Sequence, residues 1–326
     1  MKKVLDFFWY LAKSGAVENK ELVQKVGVSK NALNQIKMAL AGWLEPPCGK
    51  TALKKSAQQE LAKFYGENYL AEESLFSFLT QQGTYQKALK ILTKYYQRRP
   101  FPKREYDQFT AIPQTVAKRV ALLDFFGEVE EKRILFLGDD DFTSVGTAIL
   151  GTAAKIVVVD IDRRILKTIG EIARELNLKI KLVEHDLRKP LPPELKNNFD
   201  TVFTDPPYTS EGIKLFVSRA VEALDKTNNG ARIYICYGSS DRAKERFLPI
   251  QEILTASGLL LRWVFDKFNR YKGAQSIGST SSLYVTETTP KTKSLIKGVG
   301  KKPIYTLGIL VLVFLVIKFV QGVFKC

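Results

Sequence analysis

The 326-residue chain has one histidine, His185, and three widely separated cysteines, Cys48, Cys236 and Cys326. So sparse a cysteine set offers neither a disulfide framework nor zinc-ligand spacing, and it fits a reducing compartment. With one histidine and no Gly-x-Ser-x-Gly turn, a Ser-His-Asp triad has little to be built from. Any general base is therefore expected among the carboxylates, and no metal site is expected. Arginine is missing from residues 1–97, which disfavours bidentate readout of guanine there. The apolar run Phe7–Tyr10 is too short for a signal peptide, and helical patterning continues past it.

What is present is a strong basic excess, unevenly placed. The formal net charge is +16. Residues 1–110 hold 18 Lys/Arg against 10 Asp/Glu, residues 111–286 hold 25 against 23, and residues 287–326 hold 7 against 1. The middle of the chain is nearly neutral, which argues against a broad phosphate-binding surface there.

The patterning divides the chain. Residues 1–65 read as a winged-helix-like domain. A helix from about Lys20 should stop at Gly27, Ser29 should cap the next one, and Trp43–Lys55 reads as a hairpin wing. Dimerisation or a lid is the favoured use of this module over DNA binding, given the missing arginines. Residues 66–110 read as a helical connector ending in the basic, proline-broken stretch Arg98–Arg104. Residues 111–286 alternate short apolar strands with helices, the pattern of an α/β, doubly wound, Rossmann-like sheet with its ligand at the strands' carboxyl ends. The expected strands are Arg133–Leu137, Lys155–Val159, Lys179–Val183, Thr201–Thr204, Arg232–Tyr237 and Ser282–Val285, with a late strand at Trp263–Phe265. After a linker at 287–302, residues 303–326 read as a C-terminal transmembrane helix. Ile304–Phe324 is 21 residues long with Lys318 as its only charge, enough for a bilayer core of about 30 Å. Lys297, Lys301 and Lys302 would then keep the folded domain cytoplasmic and tethered to the membrane.

The chemistry gathers at the strand ends. The first strand runs into Gly138-Asp139-Asp140-Asp141-Phe142-Thr143-Ser144. Nucleotide-binding sheets usually carry several glycines at this turn. Three adjacent acids are costly without a cation, although Asp141 or Ser144 could cap the next helix. Asp160 and Asp162 end the second strand at the spacing of a ribose-binding acid. Asp186 follows the third strand, where a polar group can read the adenine edge; beside it, His185 reads equally well as a surface residue. Asp205-Pro206-Pro207-Tyr208 follows the fourth strand, the prolines holding Asp205 and Tyr208 rigidly towards the crevice. Asn269 follows the late strand.

These motifs together resemble the branched-chain polyamine synthase family. The likeness rests on Gly138–Ser144, Val158–Asp162, Asp186–Pro192, Asp205–Pro207 and Phe268-Asn269, with Tyr106-Asp107-Gln108 and Thr115–Leu122, and covers roughly residues 98–285. The resemblance implies a winged-helix-like domain joined to a methyltransferase-type Rossmann domain. It implies transfer of an aminopropyl group from decarboxylated S-adenosylmethionine, the co-substrate, to a secondary amine of spermidine or a related polyamine. Asp140 is then the expected base or orienter of the amine, and Asp205 the second catalytic carboxylate. Gly138, Asp139, Asp160, Asp162 and Asp186 would hold the co-substrate, while Asp141, Tyr208 and Asn269 would contact the polyamine. Two departures stand out: Tyr208 where an acid is usual, and residues 287–326 in place of an acidic tail. The competing reading is an S-adenosylmethionine-dependent amino-methyltransferase acting on nucleic acid, which uses Asp-Pro-Pro-Tyr to hold a flipped base. A third is a membrane-bound sensor of polyamine or nucleotide. Nucleic acid is thus a less favoured partner, and a homodimer is an assembly the sequence permits.

Overall fold

In the computed structural model the described residues are 2–46, 50–64, 71–238, 245, 247–272 and 279–306. The chain opens with α1 (Lys2–Ser14), β1 (Val17–Glu18), α2 (Asn19–Val26) and α3 (Lys30–Ala39), followed by β2 (Lys50–Thr51) and α4 (Lys55–Phe64). Gly27 ends α2 in the left-handed region, at φ 68°, where glycine meets no Cβ penalty. The Ser29 side chain accepts from the Ala32 amide and caps α3. Residues 43–45 pair with 52–54 as a hairpin, and β2 continues from it to pair antiparallel with β1. Phe7, Leu11, Leu22, Val26 and Leu33 close a separate small core in this region.

Helices α5 (Ala71–Gln81), α6 (Gly83–Tyr95) and α7 (Pro113–Phe125) lead into the sheet. There follow β3 (Arg133–Leu137), α8 (Thr143–Ala148), β4 (Lys155–Asp160), α9 (Arg163–Glu175) and β5 (Lys181–Glu184). The second half comprises β6 (Thr201–Thr204), α10 (Ser210–Ala223), β7 (Arg232–Gly238), α11 (Leu248–Ala256), β8 (Leu260–Arg270) and β9 (Thr280–Glu287). The seven strands stand in the order β5-β4-β3-β6-β7-β9-β8. The first five are parallel, and β9 runs antiparallel to both of its neighbours. Strand order reverses between β3 and β6, which opens a crevice at their carboxyl ends.

Burial on both faces explains the unbroken apolar runs. Ile134, Phe136, Ile156, Val158 and Tyr234 face one core, shared with α6, α7 and α9. Leu135, Leu137, Val157, Val159 and Ile233 face the other, against α10 and α11. Beyond β9 the chain runs back along α10. The buried Arg219 guanidinium donates to the Ile296 and Gly298 carbonyls at 3.0 and 2.6 Å, and the Gly300 amide donates to the Arg188 carbonyl.

The expectation of a transmembrane helix, with its membrane tether and cytoplasmic anchoring, is corrected. Among the described residues no helix is long and apolar enough to cross a membrane. Ile304, where the span was to begin, is buried in the core under α10, and its carbonyl accepts from Thr209 Oγ1 at 2.7 Å. The Thr306 amide and hydroxyl donate to Asp107. An apolar run has the same hydropathy whether a bilayer or a protein groove covers it, and this run starts in a groove. Residues 307–326 lie outside the described residues.

Gly258, at φ +67°, ends α11 against the returning chain, and a Cβ there would lie 2.4 Å from the Lys291 carbonyl oxygen. Gly258→Ala is expected to cost about 2 kcal/mol or more, from backbone strain and the clash together. Urea unfolding should show a lowered midpoint at unchanged slope; an unshifted midpoint would refute this.

Candidate active site

The crevice is walled by the loops after β3, β4, β5 and β6, by Tyr106–Phe109, and by Ile304 and Tyr305. Its cavity measures about 80 Å³, well under the roughly 300–1,000 Å³ of small-molecule sites. The returning chain supplies part of its wall: the Tyr305 ring lies 5.7 Å from that of Tyr106.

Five carboxylates line this space: Asp107, Asp140, Asp160, Asp186 and Asp205. Gly138 lines it too and holds φ +73°, a conformation that suits glycine although nothing but Phe216 stands near its missing Cβ. Asp140 is the pocket acid left without a hydrogen-bond donor, with the Arg99 charge only partly offsetting its burial. Among the described residues no group donates a hydrogen bond to it, and burial, reinforced by the Asp141 charge, holds its carboxyl well above the usual range. Asp160 accepts from the Asp139 and Asp162 amides at 3.1 and 2.8 Å, tying two loops together. Burial nevertheless raises it to about 6. Asp186 grips Arg188, which outweighs burial and keeps the carboxyl below its ordinary value.

Asp205 belongs to a network that runs beneath the pocket. Arg119 on α7 is 1% exposed. Its guanidinium donates to Asn269 at 2.7 Å, to Asp141 at 3.0 Å, to Asp205 at 3.0 Å and to the Tyr271 hydroxyl at 3.1 Å. The Tyr271 hydroxyl in turn donates to Asp205 at 2.6 Å, and Tyr208 lies within 3.4 Å of the same carboxylate. Burial lifts Asp205 to about 6 against the pull of Arg119.

Several expected contact residues stand behind the pocket rather than in its wall. Asp139 caps α8 through the Thr143 and Ser144 amides, and burial raises it to about 7. Asp141 is engaged by Arg99, Arg119 and the Ala111 amide. Asp162 caps α9 and pairs with Arg164, whose hydrogen bonds outweigh burial and hold it below its ordinary range. Asn269 is buried between Arg119 and Ser281. Conversely, His185 proves to line the pocket, with Nε2 buried and unpartnered among the described residues. Arg119, Tyr271 and Tyr305 carried no sequence signal of their own. Arg119 lay inside the motif Thr115–Leu122, which marks likeness but not a role.

A mainly parallel sheet with acids in the crevice at its switch point makes this a Rossmann-like protein of the methyltransferase type. More narrowly, the chain belongs to the branched-chain polyamine synthase family. Residues 87–305, more than half of the chain, match the branched-chain polyamine synthase A C-terminal domain. An uncharacterized protein of Methanocaldococcus jannaschii is 44% identical over 186 residues, covering 57% of this chain and 46% of that protein. The N(4)-bis(aminopropyl)spermidine synthase of the same organism is 36% identical over 188 residues, covering 57% and 53%. The chain thus spans about half the length of the curated relatives it matches. Among solved structures, a branched-chain polyamine synthase mutein from Thermus thermophilus, in complex with N4-aminopropylspermidine and 5'-methylthioadenosine, superposes with a TM-score of 0.66. It is 24% identical, with 93% of this chain and 91% of that chain covered. At that identity the likeness speaks for the fold.

Two outcomes follow from the electrostatics. Arg119→Met removes the cation paired with Asp205 and one of the two paired with Asp141, and removing one member of a buried pair typically costs about 3–5 kcal/mol. Arg119→Lys should recover only part of this, since an ammonium cannot span the same acceptors; full recovery in urea unfolding would contradict it. Asp139, Asp160 and Asp205 all titrate higher in the folded state than the usual 3.8. Between about pH 5 and 7 these three groups therefore hold more protons in the folded chain than in the unfolded one, and their contribution makes stability fall as pH rises. Acids held low, such as Asp200 at about 2, are ionised in both states across that window. Melting temperatures of the ligand-free protein should decline from about pH 5 to 7, and a rise would refute the assignment.

Proposed function

We propose that the chain transfers an aminopropyl group from decarboxylated S-adenosylmethionine to a secondary amine of spermidine or a related polyamine, giving a branched polyamine and methylthioadenosine. The observation that carries this reading is Asp140: a pocket carboxylate with no described donor, among four other acids. Such a pocket is complementary to a ligand that brings several positive charges. Decarboxylated S-adenosylmethionine brings a sulfonium and an ammonium and no carboxylate, and a polyamine brings more ammonium groups. The related N(4)-bis(aminopropyl)spermidine synthases and the products bound in the Thermus structures support the same chemistry.

In this reading the secondary ammonium of the polyamine first gives up its proton to Asp140. The freed nitrogen lone pair attacks the carbon attached to the sulfonium sulfur. The C–N bond forms as the C–S bond breaks, and the electron pair leaves with sulfur as a neutral thioether. The protein's work is alignment and proton handling. Asp140 orients and deprotonates the amine, and Asp205, fixed by Arg119 and Tyr271, holds a second ammonium. Tyr208 lines the polyamine channel beside it. Asp160 meets the ribose, Gly138 lets the backbone approach the co-substrate, and Asp186 and His185 face the adenine end. Asp139, Asp141, Asp162 and Asn269 act from behind as positioning residues. Residues 1–65 form a module separate from this chemistry, with residues 66–110 as its connection.

Calorimetric titration of the full chain with the two sulfonium compounds tests the reading. Decarboxylated S-adenosylmethionine should bind at least tenfold more tightly than S-adenosylmethionine, and adding spermidine should release methylthioadenosine. Preference for the carboxylated compound would instead favour methyl transfer. Asp140→Asn should lower kcat by about 10²–10⁴, the range for loss of a general base, with little change in KM for the co-substrate. The raised Asp140 carboxyl must be ionised to accept a proton, so kcat/KM should rise with pH along a limb set above the ordinary carboxylate range. Unchanged turnover in Asp140→Asn would remove it from the mechanism.

A further inference from the structure

The N-terminal module contributes no described residue to the pocket, so its surface needs another explanation. Contacts from α1 and the turn after α2 mount it on the sheet. Asp6 pairs with Lys267, and Gly27 lies against Lys267 and Thr280. Helix α3 packs inward through Leu33 onto the small core. Its other side shows Lys30, Asn31, Asn34, Gln35 and Met38 to solvent, Met38 being 72% exposed. None of these residues lines the active-site pocket.

Charge singles out the partner. Residues 19–55 hold seven lysines against two acids, whereas the catalytic region is nearly neutral. One of the two acids, Glu21, is already engaged by the Tyr10 hydroxyl at 2.6 Å. Lys20 at the start of α2, Lys30 at the start of α3 and Lys50 on the hairpin are all exposed. In a helix-turn-helix the first helix crosses the phosphate backbone and the second enters the major groove. Lysines at these positions suit phosphates. Asn31, Asn34 and Gln35, at helical spacing i, i+3 and i+4, share one face, and their amides match the paired donor and acceptor of an adenine edge.

We propose that this module binds double-stranded DNA, with α3 in the major groove and Lys20, Lys30 and Lys50 on the flanking phosphates. Because residues 1–97 contain no arginine, the guanidinium fork that reads guanine is missing and phosphate contacts dominate. Binding should therefore be weakly sequence-selective and steeply dependent on salt.

Fluorescence anisotropy of a labelled 20-base-pair duplex titrated with the full chain provides the test. Affinity should fall with salt on a log–log slope of about −0.9 per phosphate contacted. Lys20→Ala/Lys30→Ala/Lys50→Ala together should lower affinity at least tenfold and flatten the slope by about one per lysine, at an unchanged melting temperature. Lys30→Ala alone, the milder variant, should flatten it by about one. Absence of binding by the wild type overturns the proposal. So does a variant that binds as the wild type does, or tighter binding to single-stranded RNA than to the duplex.

Discussion

The hydrogen-bond set of Arg119 is the interaction on which the rest of the site depends. A guanidinium at 1% exposure is tolerable only if its charge is matched and its donors are used. Here it reaches the loop after β3 through Asp141, the loop after β6 through Asp205, and the end of β8 through Asn269. The dependence is mutual. Without the arginine, Asp205 would keep only tyrosine hydroxyls beside it and Asp141 would be left to Arg99 and the Ala111 amide. Without the carboxylates, the arginine could not be buried beneath the crevice.

Around that hub the acids divide by what their oxygens do. Asp139 and Asp162 satisfy helix N-termini, and Asp141 is shared by two arginines. These hold the loops in place and have little capacity left for a ligand. Asp140 sits between them in sequence yet points into the pocket with no described donor. The loop thus uses two of its three acids to fix the backbone and presents the third, and this asymmetry is what an arriving cation would relieve.

The returning chain adds a second constraint. Arg219 anchors it by its own carbonyls, and Ile304 and Tyr305 then line the crevice. A segment that reads as the entrance to a membrane helix is therefore, at its start, part of the pocket wall.

The strands, their order of appearance and the turn residues were legible because local rules govern them. Both-face burial writes continuous apolar runs, Gly27 marks a left-handed stop, and Ser29 marks a cap. The acids at the strand ends were legible as a cluster, since the architecture puts its ligand there. Which acid faces the ligand was not, because adjacent aspartates look alike until helix caps and arginines have claimed them. Arg119, on α7, and Tyr271, just past β8, gave no sign of meeting at Asp205 from across 86 and 66 residues of chain. The apolar run at Ile304 misled because hydropathy records the wish to leave water but not the surface that receives it. Sequence determined the family, the fold and the supply of acids, since these follow from residue type and spacing. Tertiary structure alone decided which carboxylate is left without a donor, because that depends on which distant cations and amides the packed core brings within hydrogen-bond reach.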